Sequence, residues 1–290
     1  MPETPLVSVV VANYEYVRFL PRLFESLAGQ TFGLSRVELV VVDDGSADGS
    51  VPVARALGAA LGLARLRVLP LRHQGHPGPV RNAGLRVARG RYLLCLDADD
   101  ELAPGFLART VAALEAAPGM ALAYTDYVES GPGGSRDVAL PEFDPDILRT
   151  QNPLTLATLM RREVFAASRG FLSATAYEDW DFWVQAAAAG FAGVRVPAPL
   201  FRYNHHRANF SWRARLADGR AKARIVVDNK YFFAPEVLAW ARALLRGEPW
   251  AAPFRRGLIP RAQDVAALRA IAADVARARA AGAPARAVGS

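Results

Sequence analysis

Three features of the chain predict an α/β fold built on a mainly parallel sheet flanked by helices. Apolar runs of strand length at residues 6–12 (LVSVVVA), 37–42 (VELVVV) and 66–71 (LRVLPL) alternate with segments whose apolar residues recur at helical spacing, the pattern of successive βαβ units. The first two runs are dense in β-branched residues, as in strands covered on both faces. A fourth run, residues 92–96 (YLLCL), passes directly into Asp97-Ala98-Asp99-Asp100-Glu101. A burst of carboxylates therefore stands beyond a strand's carboxyl end, where open α/β sheets bind their ligands.

Along the chain, Asn13-Tyr14-Glu15 breaks the first strand, and Phe19, Leu20, Leu23, Phe24 and Leu27 then share one helical face. The second strand ends in Asp43-Asp44-Gly45-Ser46, a polar turn that leads through Asp48 and Gly49 into a helix over 51–61. After the third strand, the loop His73-Gln74-Gly75-His76-Pro77-Gly78 leads to a helix starting near Val80, with Arg81 and Asn82 in its first turn. Beyond the acidic strand, a helix is predicted over 104–117 and a strand over 121–127. Residues 131–145, rich in Gly, Pro, Ser and Asp, read as a variable loop facing an acceptor. A strand with a short helix over 154–165 and a turn at Gly170-Phe171 precede Tyr177-Glu178-Asp179-Trp180-Asp181-Phe182-Trp183, which opens a helix. The helix dipole favours these carboxylates in the first turn. Helical spacing puts Glu178 and Asp181 on one face and Asp179 elsewhere, so only one of these subsets is expected in the crevice. A Pro-bounded strand, the segment Tyr203-Asn204-His205-His206-Arg207 and a largely helical tail complete the chain.

Right-handed crossovers bring the carboxyl ends of the parallel strands to one edge, so Asp44, the 73–82 loop and the Asp97/Asp99 pair are expected to converge on one crevice. Asp97 and Asp99, one residue apart in an extended segment, point the same way and can share a cation. Hard oxygen ligands suit Mg²⁺ or Mn²⁺, which complete their shells with phosphates and water.

Bulk properties narrow the classes. The 290 residues are 52% hydrophobic and 22% charged, an ordinary globular balance rather than a disordered one. The single cysteine, Cys95, lies inside an apolar run, which excludes an intrachain disulfide framework and fits a reducing compartment. No apolar stretch approaches the roughly 18 residues of a membrane span, and the N-terminal run reads as a strand rather than a leader. The net charge of +7 is uneven: residues 1–200 hold 18 Arg and 22 carboxylates, and residues 201–290 hold 17 Lys and Arg against 6 carboxylates. Such a basic tail is suited to an anionic membrane surface, an anionic acceptor or nucleic acid, or forms a solvated helical face. No zinc, helix-turn-helix or RNA-binding signature accompanies the charge, so no nucleic-acid partner is expected. The turn Ala12-Asn13-Tyr14-Glu15 lacks the glycine-rich fingerprint of a dinucleotide-binding oxidoreductase.

Five stretches, in order, resemble family 2 glycosyltransferases of the GT-A fold: VSVVVANYEYVRFLPRLFESLAGQTF, VELVVVDDGSADGS, GPVRNAGLRVARGRYLLCLDADDE, REVFAASRGFLSATAYEDWDFWVQAAAAG and FRYNHHRANFS. The resemblance implies a GT-A domain over 1–212 and a basic, mainly helical extension over 213–290. It implies nucleotide contacts at Ala12, Tyr14, Asp43, Asp44, Arg81, Asp97 and Ala98, with Asp44 accepting from a uracil ring and Asp43 supporting the turn. It implies a divalent metal, Mg²⁺ or Mn²⁺, at Asp97, Asp99 and His206, and a catalytic pair Glu178 and Asp179 with Asp179 as base. The implied reaction moves a sugar with inversion from a nucleoside-diphosphate donor, UDP-sugar by default, to an acceptor hydroxyl. Saccharide, lipid-linked or glycoconjugate acceptors are implied, in cell-envelope polysaccharide or glycoconjugate synthesis at the cytoplasmic face of the membrane. The chemistry accounts for these residue types, because a departing diphosphate needs a cation and an attacking hydroxyl needs a proton acceptor. Glu15 stands where the family often has asparagine, and Asn204 where arginine is frequent. Asp181 is the rival of Asp179 as base, and His205 of His206 as ligand. A nucleotide-sugar-binding scaffold without catalysis is the alternative function.

Overall fold

The computed structural model describes residues 5–206 and 217–280. The boundary at 212/213, Arg207, the end of FRYNHHRANFS and the chain beyond 280 lie outside the described residues.

Strand β1 (Val7–Asn13) is central to the site. It pairs in parallel with β2 (Val37–Asp43) on one side and β4 (Tyr92–Asp97) on the other, so that Ala12 sits beside both Val42 and Asp97. Strand β3 (Arg65–Pro70) extends the parallel half beyond β2. Past β4 the order continues through β8 (Leu159–Arg161), β6 (Leu122–Gly131), β9 (Gly193–Asn204) and the two-residue β5 (Glu101–Leu102). There β8 runs antiparallel to both neighbours, while β6 and β9 form a long parallel ladder whose register shifts around Asp126. The described residues thus form a mixed, nine-stranded sheet, and the carboxyl ends of β1, β2 and β4 meet at one edge.

Alternate strand residues feed two apolar layers, as period-two geometry requires. Val9, Val41 and Leu94 face Leu20, Leu23 and Phe24 of α1 (Leu20–Ala28) and Phe106 of α4 (Phe106–Ala116). The other layer joins Val10, Val40 and Leu93 to α3 (Pro77–Val87) and to Trp180, Phe182 and Trp183 of α7 (Glu178–Ala188). That layer continues without a break into Ile225 and Trp240 of α8 (Asp218–Asp228) and α9 (Pro235–Arg246). The helices α2 (Ser50–Ala59), α5 (Pro145–Leu148), α6 (Arg162–Ala166) and α10 (Ala262–Ala280) complete the described set.

Two elements differ from expectation. Helix α3 starts at Pro77 rather than near Val80, because the His76 ring accepts from the Gly78 N–H at 3.1 Å and proline is suited to the first helical position. Arg81 therefore lies past the first turn. The segment expected to be an open loop contains β7 (Gly134–Val138), a hairpin strand paired with β6. Gly134 supplies the positive φ of +110° that its tight connection needs. Close approach also fixes α3: a β-carbon at Gly84 would lie 2.3 Å from Val10 Cγ1. Only glycine lets the helix lie this near the sheet, and Arg81 is one turn away.

Candidate active site

A cavity of about 880 Å³ opens at the carboxyl edge, lined by residues from the β1, β2 and β4 ends, the N-terminus of α3 and the N-terminus of α7. Ala12, Tyr14, Asp44, Arg81, Asp97, Asp99, Glu178 and Asp179 all line it. The convergence expected from topology is present.

The acidic turn is its floor. Asp97 ends β4, and the Asp100 N–H bonds back to the Asp97 carbonyl at 3.2 Å. Asp97 and Asp99 therefore converge through a turn, not through the alternation of an extended strand. Oxygens of Asp97, Asp99 and Asp100 lie within 4.8 Å of one another. Burial and the Asp97 charge push the Asp99 carboxyl up to about 7, and burial with both neighbouring carboxylates holds Asp100 well above its usual range. Asp100 is tied to β9, accepting from the Asn204 N–H at 3.1 Å, while Asn204 Nδ2 donates to the Asp99 carbonyl at 2.8 Å.

The two histidines diverge. His206 Nε2 lies 2.8 Å from Asp99 Oδ2 and its ring stacks on Phe19 at 4.7 Å, whereas His205 Nε2 reaches Glu129 Oε1 at 2.6 Å. Burial, with the nearby charges of Arg18 and His205, lowers His206, favouring the neutral imidazole that a metal requires. Asp97, Asp99 and Asp100 thus form a compact cluster of mutually repelling carboxylates, and His206, which does not line the cavity, adjoins it through Asp99. A divalent cation fits it, since it would favour the charged carboxylates that burial penalises.

Arg81 links this floor to the opposite wall. It is 4% exposed, and its guanidinium donates to Asp97 Oδ1 at 2.7 Å and to Glu178 Oε1 at 2.6 Å. Despite burial, which disfavours its charge, the two carboxylates raise its affinity for the proton, so it stays cationic. Next to it, the Asp179 carboxylate accepts from its neighbour's Trp180 N–H at 2.7 Å and from Asn152 Nδ2 at 3.1 Å. Burial and the adjacent Glu178 push Asp179 up to about 7.

Asp181 is elsewhere. It is fully buried and accepts from Asn229 Nδ2 and Gln185 Nε2, both at 2.7 Å, which fastens α7 to α8. The helical-wheel expectation that Glu178 goes with Asp181 is corrected: Glu178 and Asp179 enter the cavity together and Asp181 does not. The reason is that α7 begins at Glu178, after a non-helical Tyr177 (φ −118°, ψ 54°), so the cavity meets the end of the helix and not one side.

At the far end, the Asp44 carboxylate lines the cavity and accepts from the Gln74 and Gly75 N–H groups at 2.7 and 3.2 Å. Asp43 sits behind the turn, accepting from Asn13 Nδ2, Ser46 N and Ser46 Oγ at 2.7–2.9 Å. It does not line the cavity, and neither does the buried Ala98. Tyr14 stacks on His73 with centroids 4.2 Å apart at the rim. Glu15, the departure from the family pattern, clips the two turns together. Its carboxylate accepts from Ala47 N–H at 2.6 Å and its own N–H donates to Ser46 Oγ at 2.9 Å, at a backbone φ of +54°.

Sequence reasoning named no role for Asn152, Tyr16 or His76, which also line the cavity, His76 within the 73–82 loop expected at the crevice. Asn152 carries no local signal, since its relevance depends on a 27-residue separation from Asp179. His76 was detectable as a residue directly before a proline-led helix.

The fold and site define a nucleotide-sugar-transferase type of α/β protein. The model of glycosyl transferase family 2 matches residues 8–168, and the chain belongs to that family. It is 41% identical over 115 residues to succinoglycan biosynthesis protein ExoO of Rhizobium meliloti, covering 40% of this chain and 31% of ExoO. Four curated relatives, ExoO among them, are matched over only 17–31% of their own lengths. Among solved structures, S. aureus TarS 1–349 in complex with UDP-GlcNAc shares the fold at a TM-score of 0.64 and 20% identity, over 85% of this chain and 73% of that one. The mannosyltransferase PcManGT of Pyrobaculum calidifontis in complex with GDP-Man and Mn²⁺ does so at 0.61 and 20%, over 94% and 76%.

Replacing the shared cation exposes its partners to each other. Arg81→Met is expected to cost about 3–5 kcal/mol in urea unfolding, the usual loss when a buried ion pair is broken, and adding Glu178→Gln should recover part of it. A single variant within about 1 kcal/mol of wild type would show that solvent screens the pair.

Proposed function

We propose that this chain is the catalytic part of an inverting, metal-dependent glycosyltransferase that moves a sugar from a nucleoside-diphosphate donor, UDP-sugar by default, to an acceptor hydroxyl in cell-envelope polysaccharide or glycoconjugate synthesis. The observation that carries this reading is that Asp97, Asp99 and Asp179 line one cavity, with Arg81 joining Asp97 to Glu178, the neighbour of Asp179. The donors bound to TarS and PcManGT and the part of ExoO in succinoglycan biosynthesis support it.

Asp97 and Asp99, with His206 beside Asp99, would hold a Mg²⁺ or Mn²⁺ ion, which would supply Lewis-acid stabilisation to a departing diphosphate. The other tasks belong to the chain. Tyr14, Ala12 and the Asp44 turn hold the base and ribose, with Asp43 keeping the turn rigid. Asn152 and the Trp180 N–H aim the Asp179 carboxylate, which takes the proton from the acceptor hydroxyl as its oxygen attacks the anomeric carbon. One base and one displacement from the opposite face invert that centre. Glu178, spent on Arg81, orients the wall and takes no proton.

We place the enzyme on the cytoplasmic side, where the lone buried Cys95 stays reduced. No helix among the described residues is long and apolar enough to cross a membrane. The exposed Arg255 and Arg256, with Ile271 and Val275 on one exposed side of α10, suit peripheral contact with an anionic surface. Arg255→Glu with Arg256→Glu is expected to weaken sedimentation with phosphatidylglycerol vesicles and to leave binding to neutral vesicles unchanged. Equal binding of both proteins to anionic vesicles would remove the membrane assignment.

Asp179→Asn is expected to keep donor binding and lose turnover by about 10²–10⁴-fold, the usual worth of a positioned base; Asp181→Asn should lose stability while keeping kcat. A base acts in its charged form. With Asp179 near 7, kcat/KM should rise with pH through about 7 and level off above it. An inactive Asp181→Asn beside an active Asp179→Asn, or a rate that falls across that range, would contradict the assignment.

A further inference from the structure

Among the described residues, seven carboxylates but only two arginines, Arg18 and Arg81, line the cavity. The Arg81 guanidinium is already shared between Asp97 and Glu178. Arg18 has no carboxylate partner among the described residues, although the acidic turn lines the same cavity. It is exposed, and its guanidinium lies 4.6 Å from the centroid of the Phe19 ring, the ring that stacks on His206, whose Nε2 meets Asp99 Oδ2.

The backbone beneath Arg18 is firmly placed. The Val17 N–H donates to Asp48 Oδ2 at 2.8 Å, the Phe19 N–H bonds to the Tyr16 carbonyl at 2.9 Å, and the Glu15 clip fixes the segment's start. The backbone is therefore held at the cavity that the acidic turn also lines, and the exposed guanidinium is left available to a ligand. An acid-lined cavity repels a nucleoside diphosphate unless cations answer its charge. A guanidinium also presents a planar fork of donors that fits phosphate oxygens bidentately.

We infer that Arg18 binds the diphosphate of the nucleotide donor at the mouth of the cavity, beside the metal set, and takes part of the negative charge that grows on the leaving group. This assignment rests on the donor reading above and adds to it a residue that the family motifs did not mark.

The test is calorimetric titration of wild type, Arg18→Ala and Arg18→Lys in Mn²⁺ with UDP, GDP and the corresponding nucleosides. Arg18→Ala should bind the preferred diphosphate about tenfold more weakly or worse, the scale of a lost hydrogen bond to a charged group. Nucleoside binding should stay unchanged, and Arg18→Lys should recover part of the loss. Equal diphosphate affinity in wild type and Arg18→Ala would overturn the assignment. Parallel weakening of diphosphate and nucleoside would also overturn it, since Arg18 would then shape the base pocket or the fold. A wild-type protein that binds neither diphosphate would overturn the donor reading itself, and this assignment with it.

Discussion

The buried guanidinium of Arg81 is the interaction on which the site depends. Two carboxylates on separate elements, one ending β4 and one opening α7, would repel each other across the cavity. A single arginine between them turns that repulsion into a fixed spacing, with donor distances of 2.6 and 2.7 Å. Arg81 can reach both because Gly84 lets α3 settle against Val10 and Val42 of the sheet. Burial makes the arrangement costly if either partner is missing. Glu178 is therefore the anchor of α7, which leaves Asp179 beside it as the carboxylate to which we assign proton transfer.

The C-terminal helices belong to the same arrangement. The apolar layer under α3 and α7 runs on into α8 and α9, and polar contacts join them. Asp218 of α8 accepts from the Tyr177 hydroxyl at 2.7 Å and from the Gly257 N–H at 2.9 Å. The same carboxylate pairs at 2.6 Å with Lys222, itself fully buried and donating to the Arg255 carbonyl. Tyr177 directly precedes Glu178, and Gly257 lines the cavity. The basic extension thus holds the start of the catalytic helix as well as carrying surface charge.

Much of this was legible in the sequence. Continuous β-branched runs specified the parallel half of the sheet, and chain topology alone gathered Asp44, Arg81 and Asp97 at one edge. The acidic turn announced itself by composition. The misreadings came where local pattern and tertiary packing diverge. A helical wheel assumes a full turn on each side, so it could not place Glu178 and Asp179 at a helix start. A histidine cap moved the beginning of α3, and a Gly/Ser/Asp-rich segment paired as a hairpin because β6 offered it an edge. Asn152 reaches Asp179 and Asp218 reaches Tyr177 across 27 and 41 residues of sequence, and no periodicity reports such pairs.

The central claim is that the Asp97/Asp99/His206 set and the Asp44 turn together form one metal-linked site for a nucleoside diphosphate. Thermal unfolding with UDP, GDP, dTDP, CMP and NAD, each with and without Mn²⁺, tests it most directly, because a ligand that binds only the folded state raises the midpoint by mass action. One nucleoside diphosphate is expected to raise the melting temperature, and to do so only when Mn²⁺ is present. No metal-linked shift with any of the five would contradict the account and favour a protein that keeps the fold without the chemistry.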